Sequence, residues 1–431
     1  MKPKKYRSKK YHRGSIVGLI LVIGVCLAII GWGMLYMGLG ARVNSAVSVS
    51  GITAREAADA GIADAIYTMN EAFRNSTNFV FNPDPCSLPN SNAKFDYEIS
   101  VPPYATPRGN YYDHYQIMSE GTSKGQKRRI YAITDITNLF DYGVIVSNKI
   151  ELKEESFLDA YNSSLGVYGL DENLRLPGLI IGTTYAGHDN RIFLRNGVEV
   201  VGGIVVGVGG NPDEIIWDQA TPGATTGNRY AMGSEYVWVD VNVPDCGSSL
   251  GNLDASVFTP DFTIGDPNDP NQLRVKYNNI SIPNGGILYI VGNVDLCITG
   301  TLDLNQGALL VVEDEPWSSV RIYLYGDLNV GQSAEINNQT RIPDNFRLYG
   351  VGTSVPGEKW IINNSGFYYG VYYGPNAIVD VRQSAVFFGS IAGREFTLAQ
   401  SGQVHYDLEL SNLQEYDTGF KITRWWEEVV P

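Results

Sequence analysis

From Gly14 to Ala41 no position carries a charge, and after Ser15 the run to Leu39 is apolar or small throughout. A helix rises ~1.5 Å per residue, so about 25 such residues cover the ~30 Å hydrocarbon core of a bilayer. A soluble helix of that length shows a polar face, and this run shows none. The pattern predicts a transmembrane helix over residues 15–41, with Trp32 and Tyr36 near the interface at its far end. From Arg42 the periodicity changes. Val43, Val47, Ala54, Ala57, Ala58, Gly61, Ile62, Ala65, Ile66, Met69 and Phe73 recur at spacings of three and four, with Arg55, Glu56, Asp59, Asp64 and Glu71 mostly between them. That predicts an amphipathic helix over 42–74 continuous with the first, ended by the breakers in NSTNFVFNPDP.

The remainder alternates with the period of strands. Residues 94–137 read as a small antiparallel β unit, with Phe95, Tyr97, Ile99 and Val101 on one face and a tight turn at Ser123-Lys124-Gly125. From 139 to 413 short apolar alternations are separated by Gly, Asn, Asp and Ser. Aligning FYYGVYYGPNAIVDVRQSAV with FFGSIAGREFTLAQSGQV places Gly370 on Gly389 and Gly374 on Gly393, an offset of 19. Repeats of about 20 residues suit a right-handed parallel β-solenoid, each coil burying its apolar residues on the next. Residues 211–275, rich in Pro and Asp, read as an insertion into it. An antiparallel sandwich also fits strands at this spacing. Residues 414–431, with Trp425 and Trp426, read as a tail capping the open end of the solenoid, or as an exposed docking peptide. The expected fold class is mainly β: a transmembrane and extended α-helix, a small antiparallel unit, then the solenoid.

Charge adds orientation. The seven lysines and arginines of the head, residues 1–14, face no acid, whereas the whole chain carries −14, leaving about −21 beyond the head. Basic residues before the span keep the N-terminus cytoplasmic and place the bulk outside the cytoplasmic membrane, in the periplasm or at the cell surface. A cleaved signal has an apolar region of only ~7–15 residues, so the longer run here reads as a retained single-pass anchor. So acidic a translocated part excludes nucleic acid as a partner. Cys26 falls in the span; Cys86, Cys246 and Cys297 lie outside it, with Cys246–Cys297 the favoured pair because both fall in the β-rich region.

No constellation for catalysis, cofactor or metal emerges. Gly247-Ser248-Ser249-Leu250-Gly251 spells GxSxG, but no helical period follows it, as a nucleophile elbow needs. His12, His114, His188 and His405 are scattered. Asp266–Asn271 lacks the sixth-position glycine and twelfth-position acid of a calcium loop. The chain reads as non-enzymatic, without cofactor. Tyr368, Tyr369, Tyr372, Tyr373 and Phe387 supply rings that could stack on surface glycans, and alternation sends half of such a set inward.

Arg13-Gly14-Ser15 before the apolar run, followed by AREAADAGIADAIYTMNEAF, resembles the N-terminal segment of PilX-type minor pilins and related type IV pilus assembly proteins. The resemblance implies cleavage between Gly14 and Ser15 by a prepilin peptidase, a helix shared between bilayer and other pilin-like subunits, and a role in pilus or secretion-filament assembly or adhesion. Major pilins have a glutamate five residues past the cut, where this chain has Leu19. Residues 140–412 resemble a bacterial domain of uncharacterised function found behind pilin-like N-termini, through Gly285–Tyr289, Pro343–Phe346, Tyr372–Ala377 and His405–Asp407. A surface carbohydrate-binding or polysaccharide-degrading protein is the alternative.

Overall fold

The computed structural model describes residues 16–428 apart from 170–173, 220–223, 225–226, 259–260, 270, 316, 353–356 and 364. The basic head, Gly14 and Ser15 lie outside the described residues. One unbroken helix of 59 residues runs from Ile16 to Arg74, roughly 90 Å long. It divides by burial. Leu19 to Val49 is exposed almost throughout, whereas from Ser50 onward Ala54, Ala57, Ala58, Ile62, Ala65 and Met69 are buried.

The buried half lies across a five-stranded antiparallel sheet in the order Cys86–Ser87, Lys94–Ser100, His114–Ser123, Gln126–Asn138, Asp417–Glu428. Phe95, Tyr97 and Ile99 face the helix; Val101, expected on that face, lies past the strand end. The central hairpin turns at Lys124-Gly125, both with positive φ (45° and 83°), as a two-residue turn matching strand twist requires. Along His114–Ser123 the helix-facing residues shrink toward the turn: Tyr115, Ile117, Ser119, Gly121. The helix answers with Met69 and Ala65 at the wide end and Gly61, Ala58 and Ala54 at the narrow end, so the two elements close like a wedge.

The C-terminal segment corrects the expectation of a cap. Asp417–Glu428 is the edge strand of this sheet, paired antiparallel with Gln126–Asn138 from Asp417↔Asn138 to Glu428↔Arg129. Its side chains explain the choice. Phe420 is buried among Phe73, Phe79, Tyr111 and Tyr115, and both its backbone groups bond the Asn70 amide on the helix. Trp426 stacks on Tyr131 at 5.3 Å, and Arg55 of the helix lies over Trp425. The unit predicted over 94–137 is completed by a strand some 280 residues away.

Most remaining strands form a parallel stack whose rungs do not follow chain order. One column of paired positions runs Lys276, Cys297, Tyr323, Tyr349, Tyr373, Ala392, and then continues Ile145, Gly182, Val205, Tyr230. The neighbouring inward column, Leu296, Ile322, Leu348, Tyr372, Ile391, Val144, Ile181 and Ile204, is the centre of the core. Gly370 pairs with Gly389 and Gly374 with Gly393, the offset read from sequence. The block 144–231 thus stacks on the end of the block 253–407. Both connections to the antiparallel sheet therefore leave from the middle of the stack, where Phe140 packs edge-on against Tyr416 at 4.7 Å and Tyr406 Oη donates to the Phe140 carbonyl.

This order demands a return path, and residues 232–252 provide it. The expected insertion over 211–275 narrows to this strap, because Ile216–Asp218, Arg229–Ala231, Asp261–Gly265 and Leu273–Tyr277 are strands of the parallel sheets. The strap leaves the last rung at Met232, whose N–H donates to Val206. Tyr236 Oη donates to the Leu139 carbonyl at 2.7 Å, Val239 exchanges two hydrogen bonds with Tyr373 Oη, and Leu250 N–H reaches Lys276. Cys246 forms a disulfide with Cys297, closing a separation of 51 residues. The strap therefore runs the length of the column, roughly 40 Å at ~4.8 Å per rung.

Candidate functional site

Two features stand out: the bare half of the helix and one cleft on the stack. Among the described residues, the long helix is the one element long and apolar enough to cross a membrane. Leu19, Ile29, Trp32, Leu35 and Tyr36 are each more than half exposed, and the first charge after them is Arg42. Protein surface in water does not leave so large an apolar area uncovered. Leu19, the position that departs from the pilin pattern, is 65% exposed in this segment.

The rings proposed for sugar stacking are sorted differently from expectation. Tyr368 and Tyr372 point inward on Phe367–Arg382 and are 1% exposed; Phe387 is fully buried beside Tyr372. Alternation sends Tyr373 outward, yet it too is 1% exposed, because the strap lies over it with Trp238 against its ring and Val239 on its hydroxyl. These three tyrosines are core, not a binding surface. Tyr369 alone of the four reaches a cleft. It stacks on Phe388 at 4.4 Å, and with Phe367, 58% exposed, it faces Glu335, Asn337, Gln339 and Arg341 across a cavity of about 470 Å³. The cleft exists because the four-stranded sheet Asp261–Gly265, Ile287–Val291, Leu309–Val312, Glu335–Asn338 stops at its last member. The spelling Glu335-Ile336-Asn337-Asn338-Gln339 holds the outward alternation that could have flagged it; the end of the ladder is visible only in three dimensions.

The buried polar groups serve the stack. His405 Nδ1 meets Asp159 Oδ1 at 2.5 Å across paired positions, Gln403 holds Nε2, and Tyr168 donates to Asp159 while its ring covers the imidazole at 3.9 Å. Asp295, fully buried, takes Arg321 and Arg274 from the rungs on either side. Ser249 of the GxSxG spelling sits on the strap, bonded to Asn278, with no helix after it.

Residues 278–413 match the model of a family described as a domain of unknown function (DUF7305). No curated protein matches the chain. Among solved structures, the crystal structure of the competence-associated pilin ComZ from Thermus thermophilus is similar at 11% identity, covering 88% of this chain and 98% of that one with a TM-score of 0.25, a likeness too slight to argue from.

The matched stretch begins at the Ile280–Ile282 strand and ends at the junction beneath Tyr416, so it includes the Tyr369 cleft and omits the helix, the antiparallel sheet and the block 144–231. Within it Glu358 is only 6% exposed, and burial pushes its carboxyl above the usual range. A carboxyl raised on folding contributes stability that is present below the unfolded pKa and lost as pH rises through the folded one. Glu358→Gln is therefore expected to raise the thermal midpoint at about pH 7 and to leave it unchanged near about pH 3, a contrast that calorimetry across pH would read.

Proposed function

We propose that this is a pilin-like, membrane-anchored protein of the bacterial cell envelope, displaying a β-solenoid outside the cytoplasmic membrane for assembly of a pilus or secretion filament, or for adhesion. The division of the long helix carries the reading. Its first half presents apolar side chains on every side, as a lipid or a bundle of like helices requires, while its second half is the small-faced spine of an antiparallel sheet. The parallel stack with in-register columns supports a solenoid, and parallel crossovers are right-handed in almost every case, which is the hand proposed here. The role is structural rather than enzymatic: the His405–Asp159 pair, the most catalytic-looking of the buried groups, is closed under Tyr168. The N-terminus is cytoplasmic, by the basic head.

Mass spectrometry of the protein isolated from membranes and from sheared surface filaments tests this. A mature chain beginning at Ser15 is expected, with the sheared fraction carrying other pilin-like subunits. A chain that keeps its head and never leaves the membrane fraction would remove the filament role while leaving the anchor.

A further inference from the structure

We infer that the cleft between Glu335–Asn338 and the start of Phe367–Arg382 is a binding site for a pyranose oligosaccharide. Its rings come first. Phe367, at the head of a strand whose Tyr368, Tyr372 and Tyr373 are covered, is 58% exposed, and the half-buried Tyr369 is held in place by the stacked Phe388 ring beneath it. An exposed ring on a rigid support offers a flat apolar face at little entropic cost, which suits the C–H face of a sugar. Opposite them stand Glu335, Asn337, Gln339 and Arg341. Among the described residues none of these four side chains has a hydrogen-bond or ion-pair partner within the chain, whereas Asn338 and Thr340 between them are bonded to each other.

The donor set fits polyhydroxyl ligands. The two amides both donate and accept, the carboxylate accepts from paired hydroxyls, and the guanidinium donates a planar fork. Asn338 completes the wall but is not free: its amide is committed to Ile342 and Tyr369 carbonyls. One carboxylate is too few for a divalent cation, and a single arginine beside it, in so acidic a chain, disfavours a polyanion. The cavity of about 470 Å³ falls within the range of small-ligand sites. This inference is independent of the anchor reading, since the site lies on the stack.

The test is an array of defined neutral, N-acetylated and uronic-acid-containing oligosaccharides, probed with the full chain in detergent micelles. At least one neutral or N-acetylated class is expected to be retained ahead of the uronic acids, with affinity falling about tenfold in Phe367→Ala and in Gln339→Ala, the scale of losing one central contact. Tyr104→Ala, an exposed ring on the antiparallel unit, is expected to bind as the parent does. Both cleft positions are solvent-facing; should Phe367→Ala lose its β-sheet circular dichroism, Gln339→Ala decides. Failure to retain any neutral or N-acetylated oligosaccharide, or equal retention by both cleft variants, overturns the inference, and neither result touches the mature N-terminus that tests the filament role.

Discussion

Gly121→Ala is expected to lift the long helix off its sheet and destabilise the antiparallel unit by about 3 kcal/mol or more, the upper range for overpacking a closed interface. A Cβ at this position would stand 1.9 Å from the Ala54 carbonyl oxygen and 2.5 Å from the Ala58 nitrogen. Both are helix backbone, so no rotamer change relieves the clash, and the helix must move bodily. That motion would also break the contact at Gly61, where an added Cβ would already meet Ser119 Oγ at 2.1 Å. Gly24→Ala is the control, because a Cβ there meets nothing within 4 Å. Urea unfolding followed by hydrogen exchange in the strands Gln126–Asn138 and Asp417–Glu428 reads the loss directly, since these paired strands belong to the sheet under the helix. An unchanged midpoint in Gly121→Ala would mean that the wedge is looser than its geometry implies.

Removing the Cys246–Cys297 disulfide, by Cys246→Ser or by reduction, is expected to cost about 4 kcal/mol, the loop-closure entropy for a separation of 51 residues. The local consequence is release of the strap. Tyr323, buried with the disulfide, and Tyr349 beside it lose their cover first, while Tyr236 and Val239 still hold the other half through Leu139 and Tyr373. Limited proteolysis with and without reductant should place new cuts between 240 and 252, accompanied by a fall in thermal midpoint. Identical digestion patterns would show that the Trp238–Tyr373 contact and the backbone bonds suffice alone. The midpoint separates the two effects, because a strap held equally well in the fold still loses the constraint on the unfolded chain.

The elements legible in the sequence are those set by short-range periodicity. The unbroken helix followed from an apolar run joined to a three-four pattern, and the hairpin from Lys124-Gly125 between alternating strands. The register of Gly370 on Gly389 followed from the 19-residue offset, because stacked parallel strands repeat the spacing of their glycines. The favoured disulfide forms too. What periodicity does not carry is the order in which equivalent rungs stack. Val144–Leu152 is as good a neighbour for Val386–Leu398 as any strand later in the chain would be, since both present the same inward aliphatic column.

That one choice decided the rest. With 144–231 placed on the far end of 253–407, the chain needed a strap, and the strap buried Tyr373 at a position whose alternation points outward. With both ends of the stack region meeting in its middle, Asp417–Glu428 emerged beside Gln126–Asn138 and became an edge strand instead of a cap. The sheet that ends at Glu335–Asn338 left one outward row uncovered, with Phe367 exposed and Tyr369 half-buried beside it. The sequence by itself determined the long apolar run, the basic head before it, the small helix face and the repeat that stacks, because each is a property of neighbouring residues. Only the tertiary structure decided which rungs meet, which aromatic rings are covered and where the cleft opens, because those depend on contacts between segments hundreds of residues apart.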